Sequence, residues 1–103
     1  MAMMYELELF VVGNSPKGQE AERNLREFCD RAIAGRYELR ITDVLDNAEA
    51  AEEANIIATP TLLRRAPLPV RVVVGDLSRR ELLAYGLGLD ALAPDFEGTK
   101  DHE

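Results

Sequence analysis

The sequence predicts one α/β domain with the element order β-α-β-α-β-β-α, a parallel βαβ unit followed by a hairpin and a last helix. Three observations predict it. Strand-patterned segments at residues 5–12 and 37–44 flank a long amphipathic stretch, the layout of a right-handed crossover between parallel strands. Extended segments at residues 61–65 and 70–74 are separated by Pro67 and Pro69. Ser78-Arg79-Arg80-Glu81 then has the capping-box pattern that opens a helix.

In YELELFVV, Tyr5, Leu7 and Leu9 alternate with Glu6 and Glu8 before Phe10, Val11 and Val12 run on continuously. This strand starts half exposed and ends buried. Gly13-Asn14 breaks it, Ser15 is placed to cap the next helix, and Pro16 suits the first helical position, where no N–H is needed. The helix is expected over residues 17–34, with Ala21, Leu25, Phe28, Cys29 and Ala32 on one face and Gly35 as its stop. Leu39 and Ile41 alternate with Glu38 and Arg40 in the second strand. Asp46 with Glu49 reads as a capping box for a short helix to about Ala54. Residues 61–65 are short and extended, and VRVVV at 70–74 is strongly strand-forming. Leu82, Leu83 and Tyr85 carry the last helix, which Gly86 and Gly88 weaken. The domain is placed at residues 1–92, and the acidic, breaker-rich residues 93–103 are expected to be a disordered tail.

Composition narrows the function classes. The 103 residues fit one domain, and 19 acids against 12 bases give a formal net charge of -7, which disfavours nucleic acid. No apolar run approaches the roughly 20 residues of a membrane span, and the N-terminus lacks a signal-peptide pattern, so a cytoplasmic location is expected. The one cysteine, Cys29, forms no intrachain disulfide and reads as a buried thiol on a helix face. His102, the one histidine, reads as a solvated tail residue without partners at ligand spacing. No metal, cofactor or catalytic motif is recognised, and paired acids such as Glu52-Glu53 read as a solvated charge run.

The element order resembles the minimal thioredoxin-like arrangement. In that arrangement a cis-proline opens the third strand, and Pro60 in Ala58-Thr59-Pro60-Thr61 stands at its place, so a structural cis-proline is implied there. A thioredoxin also carries Cys-x-x-Cys at the start of its first helix. Here the corresponding Gly13-Asn14-Ser15-Pro16-Lys17-Gly18 holds no sulfur, which excludes dithiol exchange and argues against a redox enzyme. Capping accounts for Ser15 without a nucleophilic role.

LELFVVGNSP, ELRITDVLDNAEAAEE, IIATPTLLRRAPLPVRVVVGDLS and RELLAYGL resemble the KaiB family, with the similarity running from about Tyr5 to Leu87. The resemblance implies a non-enzymatic clock-type regulator that binds the KaiC ATPase ring and, on it, KaiA, thereby modulating the phosphorylation cycle. It also admits a KaiB-like adaptor in stress signalling, or a module similar to the sensor domain of the kinase SasA, a competitor for the same KaiC surface. For the KaiC-like partner it implies the face around Asn55 and Ile57, with Arg64 and Arg71 where the family carries Lys or Arg; many relatives have Lys where Asn55 stands. For a KaiA-like partner it implies the edge strand at Leu39 and Arg40. Arg36 and Arg40 would equally guard that edge against aggregation.

The family is further implied to be metamorphic. One state is a tetramer whose fold differs after about residue 50; the other is a thioredoxin-like monomer. Gly86 and Gly88 are candidate fold-switch control positions, Gly88 standing where the family pattern has Asp. Strand propensity at 70–74 and helix propensity at 78–83 favour the thioredoxin-like state and a monomer.

Overall fold

The computed structural model describes residues 3–89; the tail at 93–103, with His102, lies outside them. The elements are β1 (Tyr5–Val11), α1 (Pro16–Ala32), β2 (Tyr37–Asp43), α2 (Ala48–Glu53), β3 (Thr61–Ala66), β4 (Arg71–Val74) and α3 (Arg80–Leu87). The order is the expected one, and the fold is thioredoxin-like. One mixed sheet has the strand order β2-β1-β3-β4, with β1 parallel to β2, β3 antiparallel to β1, and β4 antiparallel to β3.

Register follows from which residues must leave water. Leu7 pairs Leu39, Leu9 pairs both Ile41 and Leu62, and Leu62 pairs Val73, so these side chains share one face. That face meets Ala21, Leu25 and Cys29 of α1 and Leu83 and Leu87 of α3 in a single core. The opposite face carries Glu8, Phe10, Thr42, Thr61 and Leu63, all buried. Alternation alone suggested a half-exposed start to β1, yet Glu8 is 4% exposed. Its carboxylate accepts from Thr42 Oγ1 at 2.5 Å and from Arg65 Nε at 2.7 Å. A buried charge persists only when it is paired and hydrogen-bonded, and these two partners meet that condition.

Helix ends differ from the sequence reading in instructive ways. Ser15 caps α1, its Oγ accepting from the Gly18 N–H at 3.1 Å. The helix stops at Ala32, two residues early, because Ile33 turns inward to the core at φ -140. The Asp46 cap is corrected to Asn47, with no side-chain capping bond. Asp43 organises this turn instead, its Oδ1 accepting from the N–H groups of Gly13 and Leu45 at 2.9 Å each. The Ser78 cap is likewise corrected to Arg79. The Ser78 N–H donates to Asp76 Oδ1 at 3.0 Å, and Asn24 Nδ2 donates to the Asp76 carbonyl at 2.9 Å, which ties this turn to α1.

Gly86 and Gly88 do more than weaken α3. A Cβ on Gly86 would lie 2.4 Å from Val73 Cγ2, so the missing side chain lets α3 settle on β4. Gly88 closes the helix in the left-handed conformation at φ 77, its N–H reaching the Tyr85 carbonyl at 3.0 Å. A Cβ there would lie 2.4 Å from Arg64 Nη1.

Gly86→Ala is expected to destabilise the fold by about 1–2 kcal/mol in urea unfolding, overpacking outweighing the helix-propensity gain of up to ~1 kcal/mol. Because Val73 is the obstacle, Val73→Ala should cost less in the Gly86→Ala background than in wild type; purely additive costs would show that α3 tolerates the methyl by another route.

Candidate partner-binding surfaces

One end of the sheet gathers the chain's turns. The Val44 N–H donates to the Val11 carbonyl at 2.9 Å, and Phe10 pairs Thr61, so the ends of β1 and β2 lie beside the start of β3. Pro60 is buried there, its preceding peptide is cis, and its carbonyl accepts from the Gly75 N–H at 2.9 Å. Ala66–Pro67 and Leu68–Pro69 are also cis.

From this end α2 and the segment after it build a shallow groove of about 510 Å³, lined by Val44, Ala48, Ala51, Ile56 and Ile57, with Glu52 at its side. Asn55 has φ 59, a backbone conformation that asparagine tolerates better than most residues. The Ile56 N–H donates to the Ala51 carbonyl at 2.9 Å, which fixes the half-buried Ile56 against α2. The next side chain, Ile57, consequently projects outward and is 94% exposed. Asn55 and Ile57, both singled out from sequence, share this surface.

The arginines grouped with them do not. Arg64 is 4% exposed and corrects the expectation of a partner-facing cation. It lies on the core side of the sheet, opposite Leu7, where Nη1 donates to the Leu87 carbonyl at 3.0 Å and Nη2 to the Pro69 carbonyl at 2.7 Å. Its Nε is buried without a partner among the described residues. Burial first, and neighbouring Arg71 second, lower its pKa from the ordinary arginine value. Arg71 is half-buried and equally occupied: Nη1 donates to the Tyr85 carbonyl at 2.7 Å, and its guanidinium sits 4.7 Å from the Tyr85 ring centroid. Two cations thus meet the carbonyl end of α3, where the helix dipole favours positive charge. Only the approach of α3 to the hairpin reveals this role, since Arg64 and Leu87 are 23 residues apart.

At the second surface, β2 is a sheet edge, with Leu39 half-buried and Arg40 exposed. Beside it Glu6, Glu8, Glu38, Arg40 and Arg65 line a polar groove. Sulfur is absent from the corner where a thioredoxin keeps its dithiol, Ser15 being engaged as a cap. Cys29 is fully buried in the core, and burial pushes its thiol up to about 12, with nearby Asp30 adding and Arg26 opposing. No helix among the described residues is long and apolar enough to cross a membrane, and no group of three potential metal ligands occurs among them.

Arg64→Ala strands two carbonyls near the core and should cost about 1–3 kcal/mol, with faster amide exchange in α3. Arg71→Ala, at the partly solvated end, should cost about 1 kcal/mol or less. Equal losses would mean that the buried arginine contributes no more than the outer one.

Comparison with known proteins follows the same outline. The N-terminal domain of Synechococcus elongatus SasA superposes with a TM-score of 0.65 at 20% identity, over 96% of this chain and 88% of that one. Oxidised mitochondrial thioredoxin 3 of Saccharomyces cerevisiae gives 0.67 at 14%, over 84% and 78%. At such identities these likenesses speak for the fold alone. In sequence, the circadian clock oscillator protein KaiB of Trichodesmium erythraeum is 46% identical over 82% of this chain and 82% of that relative. The protein of the same name from Synechococcus elongatus is 42% identical over 94% and 93%. The KaiB domain family matches residues 8–89, and the chain belongs to the KaiB family.

Proposed function

We propose that this protein is a clock-type regulator that acts by binding a KaiC-like ATPase ring and modulating its phosphorylation cycle. The supporting observation is the outward-held Ile57 beside an apolar groove, on a KaiB-family domain whose thioredoxin corner holds no sulfur. The Asn55–Ile57 face takes the ring. The β2 edge at Leu39 and Arg40 takes a KaiA-like protein by strand addition, with a SasA-like kinase as competitor for the ring. The binding form is the thioredoxin-like monomer; the fit of Gly86 and Gly88 against Val73 and Arg64 supports its predominance over a tetrameric state. The protein works by surface recognition and carries out no redox chemistry.

Size-exclusion chromatography with a KaiC-like ATPase and ATP is expected to show a stable complex that Ile57→Asp abolishes and Leu39→Ala leaves intact. Absence of a complex in every nucleotide state would overturn the proposal.

Cys29 gives the complementary check. Native protein at pH 8 should react with iodoacetamide at least about 100-fold more slowly than the urea-unfolded chain. The folded thiol keeps a proton that the unfolded chain loses above its ordinary value of 9.0, so this contribution to stability is complete below 9.0 and falls as pH rises toward about 12. Rapid native alkylation would reopen a thiol-based role.

A further inference from the structure

We infer that the Ile57 surface is an acid-rimmed apolar dock whose protein partner presents an apolar socket edged by lysine or arginine. The inference rests on the proposed docking face and specifies the chemistry that the partner must bring.

Charge distribution points to that chemistry. Residues 41–63 contain five acids (Asp43, Asp46, Glu49, Glu52 and Glu53) and no lysine, arginine or histidine, so they hold most of the chain's net charge of -7. Asp43 is occupied with backbone N–H groups. The other four are exposed, and neither ion pair among the described residues involves them. Glu52 itself lines the apolar groove. Of the next three cations along the chain, Arg64 and Arg71 are engaged at the end of α3 and Arg65 is paired with Glu8. The exposed Ile57 and Leu45 are therefore apolar side chains within a negative field.

That field selects among occupants. A second copy of the chain would bring the same acids face to face, and an anionic lipid surface or nucleic acid would be repelled. A basic-rimmed socket gains on both counts: the isoleucine side chain leaves water, and opposite charges speed and orient the encounter. Each exposed charge pair is weak, so their combined effect is read in salt dependence and on-rate, while Ile57 sets the lifetime of the complex.

The test measures binding of the full chain to a KaiC-like ATPase ring with ATP, by anisotropy of an N-terminal fluorophore. Wild type is compared with Ile57→Ser, with the triple variant Glu49→Gln, Glu52→Gln, Glu53→Gln, and with Arg79→Gln, Arg80→Gln as a control at positions that do not line the groove. All changed positions are exposed, and circular dichroism confirms folding. Ile57→Ser should weaken binding about tenfold or more. The triple variant should weaken it about tenfold at low salt and flatten the loss seen for wild type as NaCl is raised to about 0.5 M. The control should behave as wild type. Wild-type binding indifferent to salt and to the triple change would overturn the acid-rimmed dock while the regulatory reading stands. No binding by any form would overturn both. Concentration-dependent dimerisation abolished by Ile57→Ser would assign the surface to a second copy and overturn the inference.

Discussion

The close approach of α3 to the β3–β4 hairpin is the constraint on which this architecture turns. An eight-residue helix is not stable alone in water, and this one contains an internal glycine. It holds its place because Leu83 and Leu87 complete the core, Gly86 leaves room for Val73, and Gly88 leaves room for Arg64. Arg64 then reaches through the cleared space to the last carbonyl of the helix and to Pro69 in the turn. The parts are mutually dependent. Without the glycines the guanidinium and valine positions are filled twice; without the arginine, carbonyls near the core lose their donors.

The first half of the fold obeys simpler rules. β1 lies between β2 and β3, so its residues from Leu7 onward are buried on both faces, as a near-continuous apolar run requires. Its one exception, Glu8, is compensated by Thr42 from one neighbouring strand and Arg65 from the other. This carboxylate ties three strands together on the side of the sheet away from α1 and α3.

Legibility in the sequence divides along the same line. Element order, the Ser15 cap and the buried Phe10–Val11 end of β1 are written in local spacing, whereas Val12, which continues the same apolar run, is 36% exposed. The misplaced caps of α2 and α3 had matching residue patterns, but Asp43 and Asp76 lie upstream and take the turn geometry first. Glu8 read as part of a half-exposed strand because its partner Arg65 is 57 residues away. Arg64 read as a surface cation for the same reason: a strand position says which face a residue is on, and only the packed helix says that this face is closed. Ile57 was picked out by resemblance alone. What makes it exposed is the turn of Asn55 and the burial of Ile56, neither of which periodicity reveals.

These corrections change what the surface offers a partner. Had Arg64 and Arg71 faced outward, the domain would have presented cations to an acidic target. With both committed to α3, the groove beside α2 is left with an isoleucine knob and four exposed acids, and the complementary charge must come from the other protein. The bonds that hold the last helix keep both guanidinium groups at the α3 side of the hairpin, away from that groove. A substitution that freed either arginine would loosen α3 and let an existing charge swing toward solvent, since a bond to a neutral carbonyl orients a guanidinium without cancelling its charge.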